Sequence, residues 1–92
     1  MDSEHRLVIR KFICDNFVVD DGDFDDGDSL LKTGITDSTG VLEVVIFLEE
    51  RFAINVSDEE IAPANLDSVT KLCNFLARKL RGEPELDARA QT

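Results

Sequence analysis

Apolar residues recur at intervals of three and four in three separate stretches of this chain, and stripes of that kind are buried by packing helix against helix. In the first stretch Val8, Ile9, Phe12, Ile13 and Phe17 carry the pattern, with Arg6, Arg10 and Lys11 mostly on the other side, which predicts a helix from about Ser3 to Phe17. In the second, from Ser38 to Phe52, turning 100° per residue gathers Val41, Val44, Val45, Leu48 and Phe52 within about 100° of arc. The adjoining arc holds Thr39, Leu42, Glu43, Ile46, Glu49 and Glu50, and Phe47 points away from both groups. The last helix is expected to start near Asp67 or Ser68, to present Val69, Leu72, Cys73, Leu76 and Leu80 on one face, and to end at Gly82. Its cations, Lys71, Arg78, Lys79 and Arg81, lie outside that face or toward the C-terminal end, where the helix dipole favours them. Ser57-Asp58-Glu59-Glu60 has capping-box spacing and predicts a short third helix over about Asp58 to Ile61, stopping near Pro63.

The expected fold is therefore all-α: a small four-helix bundle of three long helices and one short one. Ninety-two residues suffice for one domain with one core. We assign residues 1–81 to it and expect the polar segment 82–92, which contains Pro84, to be a mobile tail. Between the first two helices, Asp20 to Asp28 contains six aspartates and two glycines, a composition that favours a solvated loop. A connection of that length needs anchors, and Leu30, Leu31 and Ile35 are the candidates, with a short turn near Ser29. Counted from Asp21, carboxylates fall at the first, third and fifth positions of a calcium loop, but Asp26 replaces its glycine and Lys32 its final glutamate, so no metal site is expected.

Twenty acidic side chains oppose ten basic ones, giving a net charge of −10, and from Asp15 to Glu60 fourteen carboxylates face only Lys32 and Arg51. Such a surface repels nucleic acid and anionic lipid and attracts basic protein patches. No apolar run approaches the roughly 20 residues that cross a bilayer, and Met1 to Arg6 lack a basic-then-apolar leader pattern, so a cytoplasmic monomer is expected. Cys14 and Cys73 fall in apolar stripes and read as core residues rather than a disulfide or zinc pair. His5 stands near the terminus with no nucleophile beside it in sequence and reads as a surface residue.

Chemistry concentrates at one point. Gly34-Ile35-Thr36-Asp37-Ser38-Thr39-Gly40 runs directly into the second helix and places the Ser38 hydroxyl beside unpaired backbone N–H groups and the positive dipole end, surroundings that suit a phosphate. Hydrolytic catalysis does not fit: the only histidine is His5, no strand precedes Ser38, and the local string is not Gly-x-Ser-x-Gly. Two other Asp-Ser pairs compete. Asp28-Ser29 has only four residues before Gly34, too few for a helix, and Asp67-Ser68 reads most simply as an N-cap.

The Asp37-Ser38 pair, the helix behind it, its Glu49-Glu50-Arg51-Phe52 ending and the downstream Asp58-Glu59-Glu60 turn together resemble the acyl carrier protein family, from about Asp28 to Leu80 and less distinctly back to Ser3. The resemblance implies that Ser38 carries a covalent 4′-phosphopantetheine arm, moved from coenzyme A by a phosphopantetheinyl transferase that holds the magnesium. It implies further partners: an acyl or amino-acid ligase and a downstream transferase or synthase, with an acyl or aminoacyl group held as a thioester. The chain itself would then be an adapter and not an enzyme. Asp37, Thr39, Leu42, Glu43, Ile46, Glu49 and Glu50 would form the docking face, charge steering the approach and the aliphatics supplying buried area. Many fatty-acid carriers read Gly-Ala-Asp-Ser-Leu; Asp-Ser-Thr-Gly is closer to D-alanyl and peptidyl carriers and to stand-alone carriers served by a dedicated ligase. The alternative is a non-covalent acidic helical interaction module in which Ser38 only caps its helix.

Overall fold

The computed structural model describes residues 3–82. Four helices, α1 (Ser3–Phe17), α2 (Ser38–Phe52), α3 (Pro63–Leu66) and α4 (Val69–Leu80), pack into an all-α bundle, with 3₁₀ turns at Asp21–Asp23 and Asp58–Glu60 and no strand among the described residues. The core is built from Ile9 and Ile13 of α1, Val44, Val45 and Leu48 of α2, Leu66 of α3, and Val69, Leu72, Cys73, Phe75 and Leu76 of α4. Phe24, Leu30 and Ile54 complete it from the connections. No helix among the described residues is long and apolar enough to cross a membrane. The expected tail beyond residue 82 lies outside the described residues.

The bounds of α1 and α2 are those the apolar spacing predicts. The third helix is not where the capping pattern puts it. Ser57 to Glu60 form only a 3₁₀ turn, in which the Ser57 N–H donates to the Glu60 carboxylate at 2.9 Å, and Pro63 opens α3 instead of ending a helix. Proline suits a first helical position because its missing N–H has no intrahelical acceptor there. Ser68 caps α4, its hydroxyl oxygen accepting from the Lys71 N–H at 3.1 Å. Leu80 is exposed rather than part of the core face, and Phe75 takes a fully buried place.

The acidic connection is tied down more firmly than its composition suggests. Arg10, expected outside, is only 5% exposed. Its guanidinium donates to Asp21 and Asp26 at 2.7 Å each and to the Phe24 carbonyl at 2.9 Å, while lying 4.2 Å from the centre of the Phe24 ring. Arg6 donates to the other oxygen of Asp26. These ion pairs outweigh burial and hold the Arg10 pKa above its ordinary value, and Arg6, then Arg10, hold Asp26 below its own. Further along, Leu30 is buried as an anchor, while Leu31 and Ile35 are half-buried. Backbone bonds from Leu30 N–H to the Asp67 carbonyl (2.8 Å) and from Thr70 N–H to the Asp26 carbonyl (3.0 Å) fasten the loop to the α3–α4 junction.

Aromatic packing places two further side chains. Phe47 stacks on Phe12 with ring centres 4.1 Å apart and meets Phe52 edge-on, so its off-stripe position faces α1. His5 is half-buried with its ring edge-on to Phe52, rather than standing free on the surface. Cys73 is buried and Cys14 half-buried; both thiols are free, and burial pushes that of Cys14 up.

Candidate functional site

Two positions bring the chain to the mouth of α2. Gly34 turns it with φ +80, a conformation glycine adopts without steric cost. Gly40, in the first turn of α2, lets the buried Thr36 lie against the helix: a Cβ there would fall 1.8 Å from Thr36 Oγ1 and 3.0 Å from Phe17 Cε1. This close approach gives Gly40 a packing role independent of any carried group.

Asp37 is the N-cap. Its carboxylate accepts from the Gly40 N–H at 2.8 Å and its carbonyl from the Val41 N–H at 3.0 Å. Ser38 is thereby released from capping: it is the first helical residue, it is exposed, and its hydroxyl has no hydrogen-bond partner among the described residues. The helix ladder offers no carbonyl to the N–H groups of Ser38 and Thr39, and no acidic side chain lies within the first turn. An anion bonded to the Ser38 oxygen would meet free donors and the positive end of the dipole, although the Asp37 carboxylate is also close.

The other two Asp-Ser pairs have their hydroxyls in use. Ser29 donates to the Asp67 carboxylate and accepts from the Lys32 N–H at 3.0 Å, while Ser68 caps α4. Two members of separate pairs, Ser29 and Asp67, thus form one contact, and the other Asp67 oxygen accepts from the Leu31 N–H at 2.9 Å.

Ser38 borders two hollows. One is an open cleft of about 720 Å³ whose walls include Phe17, Leu31, Thr36, Asp37, Thr39 and Glu43. The other is narrower, about 180 Å³, and is walled mainly by Leu31, Val41, Ile61, Pro63 and Leu66. Ser38 and Leu31 line both. Sequence periodicity singles out neither Ile61 nor Pro63 nor Leu66 as site residues, because the narrow pocket is assembled from three segments with no shared motif.

Along α2, Thr39, Leu42, Glu43, Ile46 and Glu50 are exposed, Leu42 at 49% and Ile46 at 53%. They stand off the core stripe instead of widening it. Glu49 differs from its neighbours: it is half-buried and accepts from the Val56 N–H at 2.9 Å, tying the segment after α2 back to its last turn. Among the described residues no group of His, Cys, Asp and Glu side chains could hold a metal ion. In the acidic loop Asp21 and Asp26 are instead committed to arginine.

No protein-family model matches this chain, and neither a curated protein nor a solved structure matches it significantly.

Proposed function

We propose that the chain is an acyl or aminoacyl carrier of the acyl carrier protein family, modified at Ser38 and read by partner enzymes. The observation that carries this reading is the division of labour at the helix start: Asp37 does the capping, leaving the Ser38 hydroxyl exposed and unengaged beside free N–H donors. The same division weakens the alternative, in which Ser38 is present to cap α2. Attachment of 4′-phosphopantetheine forms a phosphodiester at Ser38 Oγ, breaks the pyrophosphate of coenzyme A, releases adenosine 3′,5′-bisphosphate and gives the serine proton to a base on the phosphopantetheinyl transferase. Once attached, the arm supplies a flexible thiol on which a group is held as a thioester.

The residues around Ser38 supply position and recognition. Glu43 and Glu50 offer exposed charge for a basic patch, with Leu42 and Ile46 between them to supply buried contact area. Carrier contacts have to form and dissolve quickly, so steered, weak docking suits the task. The test is incubation with a promiscuous phosphopantetheinyl transferase, magnesium and coenzyme A, followed by intact mass. We expect wild type to gain one phosphopantetheine and Ser38→Ala to gain none. A gain that survives in Ser38→Ala and disappears in Ser29→Ala would move the site to the other pair.

A further inference from the structure

Leu7, at 61%, and Val18, at 90%, are the most exposed large apolar side chains among the described residues, and neither belongs to the face of α2 beside Ser38. Leu7, Lys11 and Cys14 share one side of α1 by their spacing of four and three, and Val18 follows four residues on. An open hollow of about 590 Å³ lies along this side, with Leu7, Cys14 and Val19 as its apolar walls and Asp15, Asp20 and Asp21 as its acidic ones. It shares no residue with the two hollows at Ser38. Its two cations are already engaged, Lys11 by Asp15 at 3.0 Å and Arg10 by Asp21 and Asp26.

We infer that the side of α1 from Leu7 to Val18 is a docking surface for a basic amphipathic helix of another protein, whose apolar face enters the hollow and whose lysines and arginines meet the acidic loop. The inference goes beyond the carrier reading and does not depend on it. Three observations converge. Val18 holds a left-handed backbone at φ 55 that costs a β-branched residue energy, and the free fold gives nothing back for it, whereas an occupant that buried its side chain would. The charge is one-sided: Asp20, Asp23 and Asp25 are exposed and face no cation among the described residues, so a basic occupant pairs with carboxylates that now repel one another. Leu7 to Val18 spans about 16 Å of helix rise, which three turns of an occupant cover. Other occupants fit the charge worse. A second copy would bring a second acidic loop and a further net charge of −10, an anionic bilayer would be repelled, and the chain's own residues 83–92 carry three carboxylates against Arg89, with Leu86 the one large apolar residue.

The experiment uses unmodified full-length protein and a fluorescein-labelled synthetic helix of four turns, with leucines spaced four, three and four apart and lysines in one terminal turn. Anisotropy at about 0.15 M sodium chloride should show binding about tenfold tighter than that of the same peptide with glutamate in place of lysine. Leu7→Ala and Val18→Gly should each weaken it about 5- to 10-fold, and Val18→Gly should do so while raising the urea midpoint of the free protein, a pairing of effects that damage to the fold does not produce. The Cys14 thiol, which lines the hollow, should react more slowly with N-ethylmaleimide when the peptide is bound, with Cys14→Ser as the blank and Cys73 buried. Glu43→Lys with Glu50→Lys should weaken binding less than Leu7→Ala does, because both residues lie on α2. Absence of binding, equal affinity for the glutamate peptide, indifference to Leu7 and Val18, or unchanged Cys14 reactivity would overturn the inference. So would sedimentation showing a dimer of the free protein that Leu7→Ala dissolves, since the surface would then belong to a second copy. Transfer of phosphopantetheine to Ser38 is measured separately, so the carrier reading stands or falls on its own result.

Discussion

Val18 is the residue most at odds with its own backbone. It follows α1 with φ 55, in the left-handed region, and a β-branched side chain is poorly tolerated there. At 90% exposure its side chain has little packing to lose. Val18→Gly should therefore stabilise the fold by about 0.5–1 kcal/mol, the relief of strain exceeding the entropy glycine adds to the unfolded chain. Urea denaturation checks this; an unchanged or lowered midpoint would mean that the strain is not felt. Gly40 is the reverse case. Gly40→Ala should cost about 1–3 kcal/mol by overpacking, and Thr36→Ala in the same chain should recover part of it, because Thr36 Oγ1 is the nearest obstacle while Phe17 Cε1 remains at 3.0 Å. Neither residue announces this in the sequence. No glycine marks the end of α1, and a glycine in the first turn of a helix reads as a weakness until the loop that folds against it is known.

Helix bounds were legible where the signals are local. The apolar spacing marks both α1 and α2. Pro63 was ambiguous because proline both stops one helix and opens the next, and only the path of the chain decides which. The burial of Arg10 and Phe24 was illegible for a different reason. It depends on the acidic loop folding back over α1, an arrangement between distant segments that no window of sequence contains. At the candidate site, the serine at the helix mouth could be read, while the choice of Asp37 over Ser38 as the cap and the Leu31 wall could not.

The turn at Asp58–Glu60 offers a test at the scale of the element. Glu60 is buried, which pushes its carboxyl up, yet the Ser57 N–H and the Lys79 ammonium at 3.0 Å outweigh burial and hold it below its ordinary value of 4.5. The folded carboxyl gives up its proton more readily than the unfolded one, so the contribution is present above about pH 4.5 and is lost as the pH falls further. Asp26, held down by Arg6 and Arg10, acts in the same direction from 3.8 downward. Glu60→Gln keeps an acceptor for Ser57 but removes the charge facing Lys79. It should cost about 1–3 kcal/mol near neutral pH and flatten the loss of stability between pH 5 and 3. An acid profile identical to wild type would place the sensitivity elsewhere.

Across the whole molecule, charge acts on folding and on the proposed docking in opposite senses. Part of the acidity is neutralised internally: Asp21 and Asp26 face Arg10 and Arg6, and Glu60 faces Lys79. The chain's net charge is −10, and among the described residues many of the remaining carboxylates face water, including Glu43 and Glu50 beside Leu42 and Ile46. Their mutual repulsion opposes the compact state and attracts a basic partner, and both effects fade once the Debye length shrinks to about 8 Å at physiological ionic strength. Raising sodium chloride from about 10 mM to 0.3 M at pH 7 should therefore raise the urea midpoint of the free protein while slowing its modification by a transferase about tenfold. Glu43→Lys with Glu50→Lys should remove most of the salt dependence of modification and leave helix content by circular dichroism intact, since both side chains stand clear of the core. If the double reversal left the rate and its salt dependence at wild-type values, docking would have to use another face, and the exposed aliphatics of α2 would lose their assigned role.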